Sequence, residues 1–201
     1  MSSPARSFIL ASGSPSRLRV LRDAGLDPQV LVSGVDETVD GLDTQTAVGL
    51  LAHRKASAVA AGLTEGLVLG CDSLLDLDGE PLGKPAWADQ AVQLWQRLAG
   101  RHATLLTGHC LIDVGSARVV REVASTVIRF GSPSPAEVAA LVATGEPLSV
   151  AGAFTIEGFC APFVDSVDGS PTNVLGLSMP LLRRLLADFG VAITDLWRPA
   201  R

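Results

Sequence analysis

The chain predicts an α/β fold built on a mixed sheet. Three observations carry that expectation: short apolar runs that end in turn residues, amphipathic helical stretches between them, and two hairpin signals that break strict strand–helix–strand alternation. The hairpin signals are Asp78-Gly79 and Gly115-Ser116, the second lying between two long strand-like runs at 102–114 and 118–130. At 201 residues the chain can bury one sizeable core, built as one or two lobes, and does not require two independent domains.

Taken in order, residues 8–11 form an apolar run too short for a helix and suited to a buried strand. Ser14 stands where an N-cap belongs, with Pro15 at the first helical position and Gly25 just past the end; Leu18, Leu21 and Ala24 form the inward stripe. Arg17 falls in the first turn of that helix, where the dipole disfavours a cation. Beside free backbone N–H groups and two serine hydroxyls, it is either an ordinary solvated arginine or half of an anion site. Residues 27–35 read as a strand ending at Asp36-Glu37, a solvated turn or a site. Residues 44–61 are helical, with Val48, Leu51, Ala52 and Val59 on one face. Lys55 shares that face. Its stem packs while the ammonium escapes to water, or the ammonium reaches into a cleft toward an anion.

Residues 66–72 are an apolar run ending in Asp72, a strand whose end presents a carboxylate able to bind a metal or accept a proton from water. After the first hairpin, Gly83-Lys84-Pro85 presents a lysine rigidly: the glycine permits close backbone approach and the proline forbids helix. Residues 88–99 are an amphipathic helix closed by Gly100, and Ser134-Pro-Ala-Glu137 is a capping box opening a helix that ends at Gly145. Residues 146–158 are glycine-spotted and irregular. Residues 162–167 read as a strand and 178–189 as a helix stopped by Gly190, with a loosely held tail beyond.

Sixteen basic against 21 acidic residues give a net charge of −5, which argues against a nucleic-acid polymer or an anionic membrane as the main partner. No apolar stretch approaches a membrane span, and residues 1–6 lack the apolar core of a signal peptide. Cys71, Cys110 and Cys160 are odd in number and lack metal-type spacing, which fits reduced thiols in the cytoplasm.

Taken together, Leu10-Ala-Ser-Gly-Ser-Pro-Ser-Arg17, Asp36-Glu37, Lys55, Gly70-Cys-Asp72, Gly83-Lys84-Pro85, Thr107-Gly108, Gly145-Glu146-Pro147, Ala151-Gly152-Ala153-Phe154 and Asn173-Val-Leu-Gly-Leu177 resemble, in order and spacing, the Maf family of nucleoside triphosphate pyrophosphatases. The resemblance spans nearly the whole chain. It implies a relative of the inosine-triphosphate pyrophosphatase fold, with a strongly twisted mixed sheet and flanking helices forming two lobes around a cleft, in a single domain over 1–201. It also implies hydrolysis of a nucleoside triphosphate between its α- and β-phosphates, with a divalent cation (magnesium or manganese), in a cytoplasmic homodimer. By the same resemblance Asp72 accepts the proton of the attacking water. Ser12, Ser14, Arg17, Lys55 and Lys84 bind substrate phosphates, and Glu37 with Asp72 holds the metal. The physical requirements agree: charge developing on phosphoryl oxygens calls for positioned cations, and a water calls for an acid or a metal nearby.

The base site departs from one branch of that family. The branch acting on dTTP and UTP has arginine, threonine and glutamine where this chain has Ser16, Ser73 and Glu157. The string around Glu157 is similar to the branch acting on 7-methyl-GTP, and a carboxylate can take two N–H bonds from a guanine edge. A broader-specificity type also suits Ser16 and Ser73. Two other readings compete. One is a metal hydrolase built from His53, His102, His109 and the cysteines, which lack ligand spacing. The other is a non-catalytic, nucleotide-binding regulator of septum formation, which would have no need of the acid at 72.

Overall fold

The computed structural model describes residues 7–198. The short N-terminal stretch whose composition argued against a signal peptide lies outside the described residues, as does the end of the tail. Among the described residues no helix is long and apolar enough to cross a membrane.

The elements run β1 (Phe8–Leu10), α1 (Pro15–Asp23), β2 (Gln29–Val30), α2 (Thr44–Ala60), β3 (Leu67–Leu77), β4 (Glu80–Leu82), α3 (Ala88–Leu98), β5 (His102–Asp113), β6 (Arg118–Phe130), α4 (Pro135–Ala143), β7 (Val164–Asp168), α5 (Pro171–Val174) and α6 (Met179–Asp188). Seven strands make one mixed sheet in the order β2-β1-β3-β5-β6-β7, with β4 on β3. The pairs β2-β1 and β1-β3 are parallel; the other pairs are antiparallel. This is the α/β mixed sheet the two hairpin signals predict. Asp78 and Gly79 both take positive φ, 57° and 87°, as a tight two-residue hairpin turn requires.

One edge of β3 organises the molecule. β1 pairs with Leu67, Val68 and Leu69, and β4 pairs with Leu75, Asp76 and Leu77 of the same strand. β5 runs along the whole opposite edge. Between β1 and β4, residues 70–74 therefore have no strand partner on that edge. The chain leaving β1 enters this gap from one end. The chain leaving β4, antiparallel to β3, enters it from the other.

The same stretch of β3 divides the apolar packing. Leu75 and Leu77 belong to a core around Trp95 of α3, with Phe130, Phe154 and Leu141. Leu67, Leu69 and Cys71 belong to a core shared with Leu21 of α1 and Leu182 and Leu185 of α6. On the opposite face, Val68 packs with Ala52 and Ala56 of α2.

Three expectations need correction. The strand expected over 27–35 is reduced to Gln29–Val30, because only Ile9 and Leu10 offer it an edge and the chain beyond departs as a loop. The inward face of α1 is Arg17, Val20 and Leu21, with Leu18 and Ala24 only partly covered, so the stripe is rotated by a buried arginine. The tail is fastened rather than loose up to residue 198: Leu26 bridges to Trp197, and the Arg198 N–H donates to the Gly25 carbonyl at 2.7 Å.

Candidate functional site

The turn from Ser12 to Ser14 occupies the start of the gap. The Ser14 side chain accepts from the Arg17 backbone N–H and caps α1, while the Ser14 N–H donates to Ser12 Oγ at 3.2 Å. Arg17 does not point to solvent. Its guanidinium is buried and donates to Ser12 Oγ at 3.0 Å, to Ser73 Oγ at 3.1 Å and to the Gly176 carbonyl at 2.7 Å. Ser73 Oγ in turn lies 2.9 Å from Thr107 Oγ1, directly across the β3–β5 pair. Among the described residues Arg17 thus has three neutral partners and no carboxylate on it.

Gly176 sits at φ +95°, and a Cβ there would come within 3.1 Å of Arg17 Nε. The glycine is thus what lets the carbonyl meet the guanidinium. Asn173 secures the segment from below, donating from Nδ2 to Thr126 Oγ1 at 3.1 Å and to the Leu105 carbonyl at 3.3 Å. These supports are remote in sequence, and only the recurrence of Asn173 and Gly176 in one short motif hinted at them.

Asp72 precedes Ser73 on β3 and so faces the other side, toward α2. There Lys55 Nζ lies 2.6 Å from Asp72 Oδ1 and 2.8 Å from Glu37 Oε1. The lysine and the aspartate are buried, whereas the Glu37 side chain is 61% exposed. Lys55 can reach because α2 lies unusually close to the sheet. A Cβ on Gly70 would fall 2.3 Å from the Ala52 carbonyl oxygen, and one on Gly108, opposite Asp72, would fall 2.2 Å from that of Val48. Arg54 holds the loop that carries Glu37, donating to the Thr38 carbonyl at 2.9 Å. Gly70 and Gly108 lie in the quoted motifs, but their part in seating α2 was not legible in the sequence, and Arg54 did not stand out at all. Beside Glu37 a cavity of about 510 Å³ opens between residues 36–42, Leu74 and Pro81; Lys55 and Asp72 lie outside its walls.

The structure therefore brings Ser12, Ser14, Arg17 and Ser73 into one hydrogen-bonded group, and Glu37, Lys55 and Asp72 into a second. Both hang on adjacent residues of β3. Lys84, two residues past β4, is exposed at the opposite end of the gap and forms no ion pair among the described residues. Ser16 is half-buried on α1 beside Arg17. Glu157 is not in either group: its exposed carboxylate pairs with Arg19 of α1.

The rival histidine–cysteine site does not assemble. Among the described residues no three His, Cys, Asp or Glu side chains are grouped to hold a metal. His53 Nδ1 bonds Ser57 Oγ at 2.9 Å, and His109 is spent on two backbone groups. Burial pushes the thiols of Cys71, Cys110 and Cys160 up to about 12, so they remain neutral.

The chain matches the family model described as Maf-like protein over residues 7–189. A Streptomyces coelicolor protein named nucleoside triphosphate pyrophosphatase is 58% identical over 200 residues, covering 98% of this chain and 97% of the relative. One of the same name from Streptomyces avermitilis is 54% identical over 199 residues, covering 98% and 97%. Among solved structures, the Staphylococcus aureus Ham1 protein overlays with a TM-score of 0.45 at 16% identity, covering 63% of this chain and 72% of that one.

Proposed function

Because the chain belongs to the Maf-like protein family, we propose that it hydrolyses a nucleoside triphosphate between the α- and β-phosphates, releasing the monophosphate and pyrophosphate. The observation that carries this reading is that, at one interruption of a sheet edge, adjacent residues of β3 carry a buried guanidinium with only neutral partners among the described residues and, on the other face, a buried lysine–aspartate pair. A ligand crevice at the ends of strands, where their order is interrupted, is the usual place for such chemistry in α/β sheets.

In this reading the polyphosphate lies along the gap. Ser12 and Arg17, at the start of α1, meet its oxygens at one end, and Lys84 meets them from the other. Asp72 accepts the proton of the attacking water, as oxygen bonds to phosphorus and the bridging phosphorus–oxygen bond breaks to release pyrophosphate. Lys55 holds the Asp72 carboxylate in one orientation.

A divalent cation fits the donor set. Asp72 and Glu37 are brought together with one oxygen of each on Lys55, each carboxylate has a second oxygen to offer, and hard carboxylate oxygens suit magnesium or manganese. With no third such side chain grouped there among the described residues, the cation would keep water and phosphate oxygens as its remaining ligands. Bound between these carboxylates, it would supply charge neutralisation to the phosphoryl group.

Guanine or modified-guanine triphosphates, 7-methyl-GTP among them, are the substrates that Glu157 favours. One oxygen of its carboxylate pairs with Arg19, and the other, with no hydrogen bond among the described residues, can accept from a purine edge. The two apolar cores that meet at residues 72–74 support a single two-lobed domain with the site in the cleft between the lobes. A homodimer in the cytoplasm belongs to the same proposal. Three unpaired buried thiols suit a reducing compartment, and sedimentation reads the oligomeric state.

The test is pyrophosphate release from a panel of triphosphates by the parent and by Asp72→Asn. The variant keeps Lys55 paired with Glu37, so it folds, and its turnover falls about 10²–10⁴-fold. Near-parental turnover would remove Asp72 from its role. A panel led by dTTP or UTP would remove the guanine preference while leaving the hydrolysis.

A further inference from the structure

Residues 145–163 contain no α-helix and no strand, only three short 3₁₀ turns, at Glu146–Ser149, Ala151–Ala153 and Gly158–Phe163. Segments of this kind are ordinarily mobile. Here the first half is pinned. The Gly152 N–H donates to the Gly83 carbonyl at 2.9 Å, Trp95 Nε1 donates to the Ala153 carbonyl at 2.9 Å, and Phe154 stacks edge-on against Phe130 at 4.9 Å. Beyond Phe154 the chain leaves the core, and Glu157, Gly158 and Phe159 are exposed. Phe159 is 65% exposed and gives the turn no anchor of its own.

The chain returns to the core at the buried Cys160, and what holds the backbone of the crest beside it is Glu146. Its Oε2 accepts from the Phe159 N–H at 3.1 Å and its Oε1 from the Cys160 N–H at 2.9 Å, so each oxygen takes one backbone donor at the start of the last 3₁₀ turn. The approach depends on glycine. Gly158 sits at φ +61°, and a Cβ there would lie 2.0 Å from Glu146 Oε2. A charged acceptor on two backbone donors, one exposed and one at the buried Cys160, is a strong tether for so short a segment. The residue it steadies from the N-terminal side of the turn is Glu157, whose carboxylate reaches Arg19 on α1, two residues beyond Arg17. The backbone is thus fixed by Glu146 and the side chain by Arg19. Gly83, tied to the same segment, is the neighbour of Lys84.

We propose that Glu146 is a positioning residue for base recognition: by clamping the backbone of Phe159 and Cys160 it sets where the Glu157 carboxylate stands relative to α1. This rests on the reading above that Glu157 meets the base. Glu146 touches neither phosphate nor base in that reading. It acts only through the place it gives to Glu157.

The experiment measures kcat and KM of the full chain for GTP, 7-methyl-GTP, UTP and dTTP, with a melting temperature, for the parent, Glu146→Gln, Glu146→Asp and Glu157→Gln. In Glu146→Gln the amide turns its NH₂ toward one backbone donor, so one clamp bond is lost at constant volume. In Glu146→Asp the charge stays but the carboxylate is withdrawn by one methylene, and this variant serves should the first not fold. The expected result is a KM for the preferred triphosphate raised on the order of tenfold, with kcat within about twofold, and a purine-to-pyrimidine ratio moved toward that of Glu157→Gln. A ratio unchanged in both Glu146 variants, while Glu157→Gln shifts it, overturns the positioning role and leaves the base reading standing. A ratio unchanged in Glu157→Gln overturns both. A parent that releases pyrophosphate from none of the four overturns the proposed function itself.

Discussion

Buried in β5, His109 stands between two backbone groups that make opposite demands on it. Nδ1 lies 3.0 Å from the Thr107 carbonyl and so carries the proton, while Nε2 accepts from the Ser178 N–H at 2.9 Å, where α6 begins. Only the neutral ring satisfies both, and burial, the largest cause, lowers its pKa to about 4 from an ordinary 6.5. The unfolded chain therefore binds a proton that the folded chain refuses between those two values. Stability is complete above pH 6.5 and declines as pH falls toward about 4, by about 3 kcal/mol from this residue, and urea denaturation across that range reads the slope. Lys55 poses an asymmetric case. In Asp72→Asn the lysine keeps Glu37, but Lys55→Met leaves two carboxylates facing one another, one of them buried, with no cation. Lys55→Met is accordingly the more destabilising of the two, by about 3 kcal/mol or more, as urea midpoints of both variants would show.

Among the elements, α2 decides the most. It has the apolar face its sequence announced, yet its distance from the sheet is set by glycines on other strands, Gly70 and Gly108. Replacing Gly108 by alanine sets a methyl against the Val48 carbonyl and lifts the helix, drawing Lys55 away from Asp72. A loss of about 3 kcal/mol in the urea midpoint is expected, together with a marked fall in pyrophosphate release; unchanged stability would mean the helix is free to shift. Helix α1 shows the converse. Its cap at Ser14 and Pro15 was legible at once, but the buried face was not, because hydrophobic periodicity has no way to count an arginine as an inward residue.

Across the whole molecule, two apolar cores share β3 and β5, and the strip where they meet carries Asp72, Ser73 and Thr107. The C-terminal segment closes the core shared with α1 and α6, where Val191 and Leu196 are buried with Leu26. A chain ending at Gly190 should lose about 3 kcal/mol and about 10 °C in melting temperature; an unaltered melt would show the segment to be ornamental.

By itself, the order of strands, caps and turns determined that this is an α/β chain with two hairpins, because propensity, periodicity and capping act within a few residues of each position. Those local patterns left Arg17 and Lys55 open between a solvated cation and a site residue, and only the ordered motifs resembling the Maf family set Ser12, Arg17, Lys55, Asp72 and Lys84 side by side. The tertiary structure alone decided which of them touch. It made the gap between β1 and β4, chose the face on which Arg17 is buried, gave Glu37 and Asp72 a common lysine, and paired Glu157 with Arg19. Those outcomes depend on register and on backbone-to-backbone approach between segments far apart in the chain, quantities that no local pattern encodes.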